Sequence, residues 1–238
     1  MMGKSHLIIS TGVTLSVLGM TDQKITVPVA AITVFSALLP DIDEPNSLLV
    51  SRAIPTRFLR FLQIALIGLG AFLYFFGQAF APWNTVLGTL VALVSLMPTR
   101  SLRNIVMVLI GAGLIFFGQP WIPWNIVIGS LLIICALLPH RGLTHTLYGL
   151  VGWTALLYFA SLGYGHTLWI AGGLSYLLHL LADSVTNRGI RPIPPLAWRL
   201  RINLMSTGTW TGSVVEGGFV LLTFVLVYIV FLSHISIY

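Results

Sequence analysis

An all-α, polytopic membrane protein is the fold class this chain predicts, on three observations. Of its 238 residues 57% are apolar and only 8% charged, against about 25% charged in soluble domains. So few charges cannot cover a water-exposed surface. The apolar residues fall into about nine runs separated by tight polar breaks such as "TDQK", "PDIDEPN" and "PTRSLRN". Two stretches also match at an offset of 41 residues, "FFGQAFAPWNTVLGTLVALVSLMPTR" and "FFGQPWIPWNIVIGSLLIICALLPHR". A repeated two-helix unit is a common device of membrane folds.

The runs place helices over 5–20, 26–40, 57–77, 83–97, 101–117, 122–139, 144–162, 167–186 and 213–234. Several hold about 15 apolar residues, short of the roughly 20 that cross a bilayer core, so each is transmembrane or re-entrant. The opening "MMGKSHLIISTGVTLSVLGM" has Lys4 before a short apolar run but no A-x-A-like cleavage site, and reads as a retained helix. "GKS" lacks the upstream glycine of a phosphate-binding loop. A single cysteine, Cys135, excludes an internal disulfide. The whole of 1–238 reads as one membrane-embedded domain.

If all nine runs cross, the N-terminus and the loops at 41–56, 98–103, 140–143 and 187–212 share one side. That side carries eleven of the twelve basic residues, Lys24 alone falling opposite. The positive-inside rule makes it cytoplasmic, with the N-terminus inside and the C-terminus outside. The net charge of +6 is then a topology signal with some attraction for anionic headgroups, and no nucleic-acid partner is expected. Trp83 and Trp124, in the matched "PWN" loops, suit the aromatic belt of the other face.

The same side collects four of the six histidines and five of the six acidic residues, His166, His234 and Asp22 falling elsewhere. "HLLAD" sets His179 and Asp183 at i and i+4 on one helix face, close enough to hold one ion. "HRGLTH" places His140 before a glycine turn and His145 in the first turn of the next helix, with Thr144 as its N-cap. "LPDID" leaves Asp41 and Asp43 just past a helix end, His6 opens the first helix, and Glu216 lies one turn into the last. Imidazole with carboxylate favours zinc, with manganese or iron as alternatives. One ion, or two bridged by a carboxylate, would activate water for phosphoester displacement. Arg141 between the histidines, and Arg188 and Arg191 in "TNRGIRPIPPLAWRLRIN", are the candidate phosphate contacts, since guanidinium binds two oxygens at once.

"GKSHLIIS", "LLPDIDEPNS", "HRGLTHTL" and "LSYLLHLLADSVTNRGI" together resemble the YdjM-like family of bacterial inner-membrane metal-dependent hydrolases, over about 1–55 and 135–205. The resemblance implies a cytoplasmic-membrane location and metal ligation by His6, Asp41, His140, His145, His179 and Asp183. Most family members are shorter, so the helices at about 57–120 read as an insertion. More distantly, the order His, Asp, His, then H-x3-D is similar to zinc-dependent phospholipase C, which implies up to three ions. Glu216 has no histidine four residues before it, so the second H-x3-E of that pattern is missing.

These readings converge on a metal-dependent hydrolase of a lipid or lipid-linked phosphoester, with Asp43 and Glu216 bridging metal or acting as base. The alternatives are a metal or proton transporter lined by the same residues, and a non-enzymatic membrane partner with a structural metal. Transporters place their ligands near the midplane of broken helices, whereas these candidates all sit at helix ends on one side.

Overall fold

The computed structural model describes residues 1–44, 47–137, 142–163 and 165–232. Ten α-helices fill them: α1 (Gly3–Met20), α2 (Val27–Leu38), α3 (Leu48–Ala53), α4 (Thr56–Phe76), α5 (Trp83–Ser95), α6 (Thr99–Phe117), α7 (Trp124–Leu137), α8 (Leu147–Ala160), α9 (Thr167–Ser184) and α10 (Trp210–Val227). Each of the nine expected runs corresponds to one of them, and the short α3 is additional. Thr26, Thr146 and Thr209 cap α2, α8 and α10, each accepting a hydrogen bond from the backbone N–H three residues on.

Nine crossings are more than helix length supports. Among the described residues three helices are long and apolar enough to span a membrane: Thr56–Phe76, Thr99–Phe117 and Trp210–Leu232. At about 1.5 Å per residue, α5, α7 and α8 reach roughly 20 Å, against a hydrocarbon core of about 30 Å.

The chain divides into two compact units: Val50–Leu137, and Met1–Leu49 with Leu138–Tyr238. The first holds the sequence repeat, as hairpins α4–α5 and α6–α7. A Cβ at Gly70 would stand 2.9 Å from the Gly88 carbonyl oxygen, and one at Gly111 2.6 Å from that of Gly129. The backbones cross at glycines that recur at the repeat spacing, close enough to leave no room for a side chain. The matched "GQ" segments are 3-10 turns, Gln78–Phe80 and Gln119–Trp121, leading into Trp83 and Trp124. Phe61, Phe75, Phe76 and Phe117 point outward, the face a lipid solvent rewards.

In the second unit α9 packs against α2, α1 and α8, and α10 against α1. Its interior is lined by hydroxyls and small residues. Ser10, Thr14, Ser16, Thr33, Ser36 and Ser175 are wholly buried. Ser175 Oγ donates to the Thr33 carbonyl at 2.8 Å, and the Trp153 indole to Ser36 Oγ at 2.9 Å. Gly172 lets Leu157 and Ser36 approach α9 closely. Small residues of this kind let apolar helices pack where water cannot drive them together. Because the chain reverses between helices, the starts of α1 and α8 meet the ends of α2 and α9, and the start of α10 lies against the start of α1.

Candidate metal centre

Five ligand-type side chains meet at those helix ends. His6 comes from the first turn of α1, Asp41 from the 3-10 turn Leu39–Asp43 that closes α2, and His145 from the 3-10 turn Leu143–His145 before α8. His179 and Asp183 come from the last turns of α9. His6, His145, His179 and Asp183 are buried, and Asp41 keeps partial solvent contact.

His6 Nε2 lies 3.2 Å from Asp183 Oδ1, and His145 Nε2 lies 3.3 Å from Asp41 Oδ1 and 3.4 Å from Asp183 Oδ2. His179 Nε2 is 3.9 Å from Asp41 Oδ1, and the His6 and His179 rings stack with centroids 3.9 Å apart. Ligand atoms of His6, Asp41 and His179 fall within 4.8 Å of one another, as do those of His145, His179 and Asp183. His179 belongs to both sets. Four-coordinate zinc, with bonds of about 2.0–2.2 Å, holds its ligands roughly 3.3–3.6 Å apart. The pairs at 3.2–3.4 Å are already near that range, whereas His179 Nε2 and Asp41 Oδ1, 3.9 Å apart, must draw together to share an ion.

The orientation of the rings shows which atoms are offered. His179 Nδ1 donates to the Ala37 carbonyl at 2.7 Å, which leaves Nε2 as the lone-pair nitrogen. That Nε2 is buried and has no hydrogen-bond partner among the described residues. A ring whose second nitrogen is fixed by a carbonyl while the first stays unsatisfied is the usual arrangement of a metal-ligating histidine. His145 is set by a relay. Thr144 Oγ1 donates to Asp43 Oδ2 at 2.8 Å and lies 3.2 Å from His145 Nδ1, whose N–H it accepts. Tyr176 fixes the same turn by donating to the Thr144 carbonyl. The donor set of imidazoles and carboxylates suits zinc, manganese or iron.

Electrostatics bind the cluster together without an ion. Burial alone pushes Asp41 up, but the hydrogen bond from His145 and the fields of His179 and His6 outweigh it and hold the carboxyl at about 2, below its ordinary 3.8. Burial likewise pushes His145 down, and its hydrogen bonds to Asp183 and Asp41 raise it to about 9 from 6.5. The His145 contribution to stability is therefore complete below pH 6.5 and lost as pH climbs through about 9. The Asp41 contribution is complete above pH 3.8 and lost as pH falls through about 2. Thermal melts of chelator-treated protein should thus decline between pH 6.5 and 9, and His145→Asn should flatten that limb. A melting point unchanged across this range in both proteins would contradict the pairing.

Of the residues that the sequence nominates, His6, Asp41, His145, His179 and Asp183 share the cluster. His140 and Arg141 lie outside the described residues. Asp43 touches Thr144 and so stands behind His145. Glu216 accepts from Ser5 Oγ at 2.7 Å and from the Met2 N–H at 3.2 Å, so its contacts are with the first turn of α1 and it is in neither ligand set. Arg188 and Arg191 line one cavity with His145. Thr144 is the relay and not the N-cap; Thr146 takes that role, because the 3-10 turn delays the start of α8. The sequence does not announce the Thr144 relay, nor Arg199, which lines the same cavity. Only the position of Thr144 beside a candidate histidine hints at its part.

No curated protein and no solved structure matches the chain. The family model described as YdjM inner membrane protein matches residues 1–237, through the central helices as well as both ends. On that match, and with three helices fit to enter a membrane, the chain belongs to the YdjM inner membrane protein family.

Proposed function

We propose that this chain is a membrane-embedded, metal-dependent hydrolase of a phosphoester, the substrate a lipid or lipid-linked phosphate presented at the cytoplasmic face. One observation carries the reading: five ligand-type side chains from four segments converge, and the buried His179 Nε2 in their midst has no hydrogen-bond partner among the described residues. Leaving such an atom unsatisfied costs on the order of 1–3 kcal/mol, which a bound cation offsets. If the runs alternate across the membrane, eleven of the twelve basic residues share the side of the cluster, which favours a cytoplasmic placement.

His6, Asp41, His145, His179 and Asp183 hold the ion, with His140 added from the sequence. A bound divalent ion supplies Lewis acidity, lowering the pKa of a water toward about 7 and offsetting charge on phosphate oxygens. Asp43 orients His145 through Thr144, and Glu216 anchors the turn that carries His6. Asp41, the ligand with solvent contact, marks the side from which water and substrate reach the ion. Arg141, Arg188 and Arg191 steady the phosphate.

A phosphate-release screen over phospholipids and prenyl phosphates, with zinc-loaded protein in lipid nanodiscs, tests this. Release that stops on addition of a chelator is expected. No turnover on any of these substrates, with metal bound, would contradict it.

A further inference from the structure

The loop after α9 is built as a receptor for an anion. Ile190 and Leu200 exchange both backbone hydrogen bonds at 3.0 Å, folding "GIRPIPPLAWRL" into a hairpin. Ile202 and Leu204 donate to the Ser184 and Val185 carbonyls at 2.8 and 3.0 Å, and the Leu147 N–H donates to the Pro192 carbonyl at 2.8 Å. The hairpin is thereby fastened to the end of α9 beside Asp183 and to the start of α8. Gly189 makes the turn with φ +59°, a conformation that L side chains rarely adopt.

Between these fastenings lies a cavity of about 430 Å³ lined by His145, Arg188, Gly189, Ile190, Arg191 and Arg199. Arg188, Arg191 and Arg199 make no ion pair or side-chain hydrogen bond among the described residues. All three are solvent-exposed, and their combined positive charge on one concave surface draws an anion into it. His145 lies on the wall shared with the metal centre, so an anion held here reaches the ligand cluster.

We infer that this three-arginine cavity binds the phosphate of the substrate, and that the substrate is a phosphomonoester or diphosphate rather than a phosphodiester. The assignment of that anion as substrate rests on the hydrolase reading; its binding does not. A diester offers one negative charge. A monoester carries about −1.5 to −2 at neutral pH with three acceptor oxygens, which matches planar, multidentate donors better. Leu196 and Trp198 on this hairpin, and Ile202 and Leu204 in the segment that follows it past Arg201, are exposed. Apolar and indole groups beside arginine belong at headgroup depth, so a lipid is the favoured source of that phosphate.

The test uses the full chain, chelator-treated, in phosphatidylcholine nanodiscs. The probes are phosphatidic acid, phosphatidylglycerol and inorganic pyrophosphate, with binding read by native mass spectrometry and calorimetry. Phosphatidic acid or pyrophosphate should bind at least about tenfold more tightly than phosphatidylglycerol. Arg191→Gln and Arg199→Gln should each weaken that binding by about tenfold, with metal uptake unchanged, which also shows that the variants fold. Phosphatidic acid binding alone identifies a lipid source, and pyrophosphate binding alone a soluble one; either supports the site. Equal binding of phosphatidylglycerol, or unchanged binding in both variants, would overturn it. Turnover is not read here, so failure of hydrolysis shows only in the release screen and is distinguishable from failure of this site.

Discussion

Asp183→Ala lowers the melting temperature of the chelator-treated protein by on the order of 10 °C, the largest loss of stability expected from any single change in the cluster. The carboxylate is buried and meets His6 through one oxygen and His145 through the other. His145 is raised to about 9, so it is cationic at neutral pH. Removing Asp183 leaves that buried charge with Asp41 as its remaining acidic contact. Breaking a buried pair by deleting one partner costs roughly 3–5 kcal/mol, and each kcal/mol is worth about 2–4 °C in a chain of this size. Asp183→Asn keeps an acceptor for His6 and removes only the charge, so it should lose less. Differential scanning fluorimetry in detergent separates the two. An alanine variant as stable as the parent would mean that the histidines do not depend on this carboxylate.

His179→Ala weakens metal binding by more than about 100-fold, because loss of an outer hydrogen-bond partner of a ligand alone costs roughly 10–100-fold. The effect is large because His179 is the member common to both ligand sets. It also removes the ring stacked on His6 and the contact that holds Nδ1 against Ala37. His179→Gln retains most of the volume, so comparing the two tells lost ligation from lost packing. Competition with a fluorescent zinc chelator measures both. Parental affinity in both variants would exclude His179 as a ligand.

Much of the centre is legible in the sequence without the fold. Apolar runs and polar breaks locate the helices, and alternation of their ends brings His6, Asp41, His145 and Asp183 to one end of the bundle. His179 and Asp183 are the easiest pair, since helical period alone puts i and i+4 side by side. What escapes is direction and nonlocal pairing. Glu216 sits at the expected helix end, yet its side chain turns toward Ser5 and the Met2 N–H, and sequence spacing alone does not reveal that turn. Thr144 precedes an apolar run as an N-cap does, but a 3-10 turn moves the cap to Thr146. Arg199 reaches the cavity only because Ile190 pairs with Leu200 across a proline-rich loop. The count of crossings is hard to read for a different reason: hydrophobicity marks burial in protein and burial in lipid alike, and only length separates them.

X-ray absorption at the zinc edge of the purified protein probes the central claim, a metal held by these five side chains, most directly. At least one tightly held ion per chain is expected, in a shell of imidazole nitrogen and carboxylate oxygen at about 2.0–2.2 Å, with the imidazole signal reduced in His145→Asn and the site emptied in His179→Ala. A protein that takes up no ion under zinc loading, or an unchanged spectrum in both variants, would contradict it.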